Sequence, residues 1–496
     1  MKPPALCVSA TDMELFARAS GDVNPLHVSA EYARRTPFGE PVVYGILGAL
    51  AACARLRKRP GSALESIALE FLGPLSAGAT YPVEAKETES AGELHVSDSG
   101  QLALKAQLAF ARGSQRALVE GRVQTREAPA AFDLEALDEG LAVSGTWAPS
   151  LPHLRRLTEP WELLDRGIDE LAVAALAWTS YLVGMELPGE RATFWKLELR
   201  IAPRGEAPSL PLPYTAEVTR RDERVGLVEL AANLGDGLAT ATISAFVRSD
   251  SPRSDLATLA PLLAEAPDLT GKVAVVVGGS RGLGAALTQA LALRGADVLL
   301  VYRDSAAEAA RVRDSVSAAA GTIEAVQGDA GDATWCTDTL RPLVAARGGL
   351  DLLVCNASPP IRPLPLDPAG VDRFERFVLE SLGLVVAPVS AFLDELDARS
   401  GTALILSSSA MTTLPAEWPH YVTAKAALEG LATWAAAAHP RTRFVVVRPP
   451  KLLTDQMNSL LGRVGASPVE PVAAEIVRRL GEPRSESGPE LVELGA

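Results

Sequence analysis

From residue 269 to residue 447, short apolar runs alternate with longer segments in which apolar side chains recur every three or four positions. The runs Val273–Val277, Val298–Tyr302, Ile323–Gln327, Asp351–Val354, Thr402–Leu406 and Phe444–Val447 are predicted strands, and a helix is predicted over Gly282–Arg294. Continuous apolar strands separated by helices call for a doubly wound parallel sheet, covered on both faces. The first 250 residues follow another pattern. Helix-period Leu47–Leu56 precedes a strand-like run at 67–75, and helix-period Leu171–Val183 precedes one at 194–203. Aligning Leu69-Glu70 with Leu197-Glu198 gives a repeat of 128 residues, and later runs follow it, 80–87 with 213–220 and 102–113 with 238–249. Two like units of this size each read as a long helix wrapped by an antiparallel sheet. Ser249–Pro267, rich in Ser, Pro, Ala and Asp, is a linker with a short helix over Leu256–Ala264. The expected domains are therefore 1–128, 129–250, a linker at 251–268, and 269–496.

Composition narrows the setting. The 496 residues are 48% hydrophobic and 22% charged, ordinary for a globular protein. No run approaches the ~18 apolar residues of a membrane helix, and residues 1–20 lack a signal pattern. A net charge of −14 argues against nucleic acid or an anionic membrane as partner. Cys7, Cys53, Cys336 and Cys355 show no paired-ligand spacing, so no metal is expected, and a reduced, cytoplasmic setting fits.

The first concentration of chemistry lies in Phe16–Gly45, where Asp22, Asn24 and His27 fall within six residues at a turn. A carboxylate and an imidazole so close can share acid–base work on a neutral small molecule. The plainer reading is a loop whose Asp and Asn cap a helix and whose His packs nearby. A helix is predicted over Val43–Arg57, and Gly45 at its start offers a bare backbone N–H to a thioester carbonyl. The run Ser20-Gly21-Asp22-x-Asn24-Pro25-Leu26-His27, with Phe38-Gly39, Val42-Val43 and Gly45, resembles the R-specific enoyl-thioester hydratases of the MaoC-like hot-dog family. That resemblance implies Asp22 and His27 as the catalytic pair, Asn24 orienting them, and Gly45 in the oxyanion site. Tyr44 departs from the family, which often carries His there, and is expected to reshape the pocket mouth. The second repeat has no such motif. Its His153 is expected at the surface, and this half is read as pocket wall and acyl-chain binder without chemistry of its own.

The second concentration begins at the turn Gly278-Gly-Ser280-Arg281-Gly282-Leu283-Gly284, between a predicted strand and helix. Glycines there allow a tight turn and close approach of phosphate, and the helix N-terminus holds the anion. Farther on, Tyr421 precedes Lys425 by one helical turn, so both share a face, and the ammonium favours the phenolate. Ser407–Ser409 supply hydroxyls to fix a substrate oxygen. Together these features resemble the short-chain dehydrogenase/reductases over residues 269–496, most of all the beta-ketoacyl carrier-protein reductase type. The resemblance selects Ser408 to complete a set with Tyr421 and Lys425. It implies NADPH held by Gly278, Ser280, Arg281, Gly282, Leu283, Gly284, Arg303, Asp329, Asn356, Ala357 and Thr454, besides Tyr421 and Lys425. Arg281 and Arg303 correspond to residues facing the 2′-phosphate, Asp329 to an adenine contact and Thr454 to a carboxamide contact. Tyr302 stands where NAD-dependent members carry Asp. The final run SGPELVELGA resembles the family's last strand, so a complete domain is expected. Val277, Cys355, Ser358, Pro450 and Ser381 depart from the family; Ser381 replaces an Asn that serves a proton relay. His95, His420 and His439 fit no metal or triad spacing.

The expected architecture is multidomain, α+β and α/β: a double hot-dog followed by a doubly wound Rossmann-type sheet. The expected function is a bifunctional NADPH-dependent 3-ketoacyl-thioester reductase and 3-hydroxyacyl-thioester dehydratase. Its substrate would ride on acyl carrier protein or CoA, and a homodimer through the reductase domain is expected. One alternative runs the chemistry oxidatively, as hydratase and dehydrogenase. Another keeps the reductase fold as a catalytically impaired docking module.

Overall fold

The computed structural model describes residues 5–113, 116–119, 126–203, 208–250, 252–316, 321–368, 370–484 and 488–495. The chain forms two compact units, Met1–Asp250 with Ser459–Leu461, and Ser251–Asn458 with Gly462–Ala496.

In the first unit the strands of the first half are β1 (Ala5–Cys7), β2 (Ser62–Phe71), β3 (Thr80–Glu87), β4 (Ala91–Asp98) and β5 (Gln101–Arg112). Those of the second half are β6 (Ala142–Trp147), β7 (Ala192–Ile201), β8 (Leu212–Asp222), β9 (Leu227–Leu234) and β10 (Ala239–Val247). They join in one ten-stranded sheet of order β1-β3-β4-β5-β2-β7-β10-β9-β8-β6, symmetric about the β2–β7 seam. Along that antiparallel seam Leu69 faces Leu197 and Ile67 faces Leu199. Leu69 and Leu197 are also the residues that the 128-residue repeat aligns, so a local two-fold axis passes through this pair. Leu64, Ile67 and Leu69 of β2 and Leu197, Leu199 and Ile201 of β7 point inward. They pack on two central helices, Gly45–Cys53 and Glu170–Tyr181, which touch each other. Both helices are apolar on nearly every side, as a helix enclosed by a sheet must be.

The first central helix is shorter than the pattern over Val43–Arg57 suggests. The second differs more. Asp169 caps its start by accepting from Ala172 N, and the Arg116 guanidinium lies 2.7 Å from the same buried carboxylate. At its far end the helix widens into a π-turn, Leu182–Glu186, instead of stopping near Val183. Such widening recurs at functional sites.

The second unit holds a seven-stranded sheet in which every pair is parallel. Its strands are β11 (Val273–Val277), β12 (Asp297–Tyr302), β13 (Thr322–Gln327), β14 (Leu352–Cys355), β15 (Thr402–Leu406), β16 (Arg443–Arg448) and β17 (Glu490–Glu493). The order β13-β12-β11-β14-β15-β16-β17 reverses direction between β11 and β14, where open α/β sheets bind their ligands. Helices Gly282–Leu293 and Val469–Arg479 cover one face, while Val371–Arg399 and Pro419–Ala438 cover the other. Val371–Arg399 is long and apolar enough to cross a bilayer, but its Val385, Val389, Phe392 and Leu396 pack on the sheet.

Candidate active sites

In the first unit, helix Ala10–Ser20 ends at Gly21 in the left-handed conformation, with φ 76, which turns the chain sharply before Asp22. Asn24 then caps a single helical turn, Pro25–Val28: its Oδ1 accepts from Leu26 N at 3.0 Å, and Pro25 takes a position needing no N–H. That turn carries His27, whose Nδ1 lies 2.8 Å from Val42 O. A carbonyl only accepts, so Nδ1 carries the proton and Nε2 keeps its lone pair. The His27 ring stacks on Tyr44 at 3.9 Å, and the Tyr44 hydroxyl donates to the backbone oxygen of Asp22 at 2.8 Å. Tyr44 is fully buried. It therefore links the two groups from within the core and, being unexposed, does not shape a pocket mouth. Gly45 follows as the first residue of the central helix, where the amide has no intrahelical partner. Its bare Cα is also a steric need, since a Cβ would sit 2.7 Å from the Phe71 ring.

Burial drives both acid–base groups toward neutrality. It pushes Asp22 up to about 6, against the opposing hydrogen bonds from Ser180 and the Asn24 amide. It pushes His27 down to about 4, reinforced by the nearby positive charge of Arg248. The usual order of carboxyl and imidazole is inverted, so between these values both groups are uncharged.

The second half of the unit contributes more than a wall. Ser180, on helix Glu170–Tyr181, donates to Asp22 Oδ2 at 2.7 Å. Gly184, in the π-turn, approaches so closely that a Cβ would lie 2.5 Å from Asp22 Oδ1. The Asn24 side chain does not touch Asp22. It donates to the backbone oxygens of Gly184 at 2.9 Å and Gly189 at 3.2 Å, while its backbone N–H donates to Asp22 Oδ1 at 3.0 Å. Glu190 O collects donors from Asn24, from Tyr32 at 3.2 Å and from buried Arg248 at 2.7 Å. Ser180, Gly184 and Arg248 carried no sequence signal. His153 takes a local role, 2.7 Å from the Ser150 hydroxyl.

In the second unit, β15 runs into Ser408, and helix Pro419–Ala438 carries Tyr421 and Lys425. Burial raises Tyr421 above its ordinary range, opposed by a hydrogen bond with Ser408. Burial lowers Lys425 to about 8, opposed by the charge of Glu429. Lys425 Nζ lies 5.5 Å from the Tyr421 ring centre and donates to Leu406 O at 2.7 Å. Behind it, Glu429 takes two hydrogen bonds from Arg448, at 2.8 and 2.6 Å, and one from Ser407 at 2.5 Å. The Ser381 hydroxyl is buried without a hydrogen-bond partner among the described residues. His420 is buried against Phe377, at 4.5 Å.

The glycine-rich turn is a cradle that side chains would fill. Gly278 has φ +77, and a Cβ there would meet Ala357 Cα at 2.9 Å. A Cβ on Gly284 would meet Gly278 O at 2.1 Å, and one on Gly282 would meet Thr454 at 3.1 Å. Asn356 Nδ2 donates to Gly278 O at 3.0 Å, fixing the end of β14 to the turn. Ser280 and Leu283 are buried beneath it. These residues fit a dinucleotide. The two arginines are already engaged: Arg281 donates to Asp455 at 3.0 Å, while Arg303 donates to Asp304 at 2.9 Å and lies 3.7 Å from Asp329. Asp329 Oδ1 also accepts from Gly331 N at 2.9 Å.

This geometry brings Ser408, Tyr421 and Lys425 together in one unit and joins Asp22 and His27 through Tyr44 in the other. Residues 272–462 match the short chain dehydrogenase family model, and residues 2–101 match the MaoC like domain model. An uncharacterized oxidoreductase of Mycobacterium tuberculosis is 33% identical over 221 residues, 43% of this chain and 82% of the relative. The short-chain dehydrogenase/reductase FrzI of Cladobotryum is 31% identical over 194 residues, 38% of this chain and 74% of that protein. A short-chain dehydrogenase of Burkholderia cenocepacia, solved with NADP, aligns at 28% identity over 46% of this chain and 97% of that chain, with a TM-score of 0.41. The chain belongs to the short-chain dehydrogenase/reductase family and carries a MaoC-like domain ahead of it.

Proposed function

We propose that the chain reduces a 3-ketoacyl thioester with NADPH in its second unit and dehydrates the resulting R-3-hydroxyacyl thioester in its first. The setting is beta-carbon processing of the fatty-acid or polyketide type, with the acyl group on CoA or a carrier protein. The observation that carries this reading is the buried Asp22–His27 pair, joined through Tyr44, which stacks on His27 and donates to the Asp22 backbone oxygen, with burial raising the carboxyl and lowering the imidazole. Elimination of water from a neutral thioester needs a neutral base and a protonated acid together, and this pair populates that state.

In dehydration, Nε2 of His27 takes the proton from the carbon next to the thioester carbonyl. The Gly45 amide and the positive end of its helix stabilise negative charge on the carbonyl oxygen. Asp22 gives its proton to the departing hydroxyl, which leaves as water while the carbon–carbon double bond forms. Proton return from His27 to Asp22 resets the pair. Hydration runs the same steps backward and needs the same single proton on the pair. Both directions therefore share one pH profile in kcat/KM, falling below about 4 and above about 6.

When bound, NADPH would supply the hydride that reduces the ketone carbon. Gly278, Ser280, Arg281, Gly282, Leu283 and Gly284 would hold its pyrophosphate side, Arg303 its 2′-phosphate, and Asp329 its adenine. Asn356, Ala357 and Thr454 would flank the nicotinamide. The Ser408 hydroxyl holds the ketone oxygen, Tyr421 gives it a proton, and the Lys425 ammonium stabilises the phenolate left behind. Arg303 favours NADPH and hence reduction over the oxidative direction. We also propose a homodimer through this unit, built on the exposed Leu379 and Val386 of helix Val371–Arg399 and on Trp434 of the adjoining helix.

Titrating NADPH into the protein while following nicotinamide fluorescence, then supplying 3-ketoacyl and R-3-hydroxyacyl thioesters, tests the assignment. Saturable binding with turnover of both thioesters is expected. Failure to bind NADPH would leave the second unit a docking module.

A further inference from the structure

The MaoC-like motif ends at Gly45, yet a ligand of its carboxylate comes from the repeat that lacks the motif. Asp22 is 1% exposed, and its two carboxylate oxygens are held separately. Oδ1 accepts from the Asn24 amide at 3.0 Å, and Oδ2 accepts from Ser180 Oγ at 2.7 Å across 158 residues of sequence. Ser180 is itself 5% exposed. The groups around Asp22 come from four elements. Asn24 and His27 lie on its own segment, and Tyr44 at the start of the first central helix donates to its backbone oxygen. Ser180 is on the second central helix, and Gly184 is on the π-turn beyond it. Arg248, the residue after β10, is the charge that acts on His27. No charged side chain acts strongly on Asp22 among the described residues. Gly184 leaves the carboxylate space that any Cβ would take, at 2.5 Å. The π-turn and the serine thus form one cradle for one acid.

We propose that Ser180 is the positioning residue of the hydratase-type site, holding Oδ2 so that Asp22 presents its remaining lone pairs to the substrate hydroxyl. A carboxylate has about four lone-pair sites. The Asn24 amide and Ser180 take one on each oxygen, which fixes the plane of the group and leaves one on each for the reacting proton. The second hot-dog half therefore completes the active site, and its motif-less helix keeps a polar residue in an Ala- and Leu-rich core for that purpose. This inference rests on the acid–base reading of Asp22 and His27.

The test measures kcat/KM between pH 5 and pH 8 for hydration of a short enoyl thioester by full-length wild type, Ser180→Ala, Ser180→Thr and Gly184→Ala. Losing a hydrogen bond to a charged group should lower the rate about tenfold or more in Ser180→Ala. The upper limb should move to higher pH by about one unit, because that bond favours the ionised carboxylate. Ser180→Thr should restore both the rate and the limb. Gly184→Ala keeps the hydroxyl but displaces the carboxylate, so kcat should fall with KM little changed. A Ser180→Ala enzyme whose rate and upper limb match wild type would overturn the proposal. So would a rate loss, in a folded variant, that leaves the limb in place. Wild type that hydrates no enoyl thioester would instead overturn the acid–base reading itself.

Discussion

The two active sites are built in opposite ways. In the second unit Tyr421 and Lys425, the proposed proton donor and its cation, sit one turn apart on a single helix, and Ser408, 13 residues before Tyr421, lies just past the end of strand β15. Burial lowers Lys425 to about 8, and the charge of Glu429, itself held by Arg448, opposes that shift. In the first unit Asp22 and His27, the proposed acid and base, lie five residues apart in one segment, and among the described residues no cation acts strongly on Asp22. Burial there pushes both groups toward their uncharged forms, and a hydrogen bond from the other half of the fold holds Asp22. A site that transfers a proton to a developing alkoxide benefits from a fixed charge nearby. A site that must hold acid and base neutral together benefits from the absence of one.

The sharpest way to break this contrast is to remove one site's proton donor. Tyr421→Phe deletes the donor while keeping the ring, so reduction should fall roughly 1000-fold, read as NADPH oxidation with a ketoacyl thioester. Dehydration of added R-3-hydroxyacyl thioester should be unchanged. Asp22→Asn or His27→Ala should cut dehydration by at least about 100-fold, followed as enoyl absorbance, and spare NADPH oxidation.

Asp22→Asn also probes burial through stability. The folded protein raises Asp22 from 3.8 to about 6, so folding favours the protonated form and loses stability as pH rises through that window. Replacing the carboxyl should stabilise the protein at pH 8 by up to roughly 3 kcal/mol, with no such gain at pH 4, in urea denaturation. Arg303→Ala should weaken NADPH by about tenfold and NADH little, by nicotinamide fluorescence. The effect stays modest because Arg303 must leave Asp304 and Asp329 to meet a phosphate. Equal loss for both cofactors would show that the arginine does not read the 2′-phosphate. His153→Ala should change neither reaction; a large loss would move the chemistry into the second half.

What was legible in the sequence follows the same divide. The strands of the parallel sheet are unbroken apolar runs, and the glycine turn and the Tyr-x-x-x-Lys spacing are local, so each can be read without knowing the fold. The repeat was legible because its two seam strands carry matching alternation, and Leu69 and Leu197 turn out to be partners. Strand β2 begins at Ser62, five residues before the run at 67–75, because a bulge between Leu64 and Ser66 breaks its alternation. Asp22, Asn24 and His27 stood out by their spacing, but Asn24's side chain reaches the opposite half, a contact that spacing does not encode. Ser180 and Gly184 were illegible for a different reason. Within Leu-Ala-rich sequence a serine and a glycine read as core filler, and their meaning exists only where the second helix meets Asp22.

The claim that two consecutive reactions occupy one chain is tested most directly by giving Asp22→Asn protein a 3-ketoacyl thioester and NADPH, then resolving the product by chiral chromatography. The account expects NADPH to be consumed and the R-3-hydroxyacyl thioester to accumulate, with enoyl product restored on adding Tyr421→Phe protein. An S-configured product, or enoyl thioester formed by Asp22→Asn alone at the wild-type rate, would contradict it.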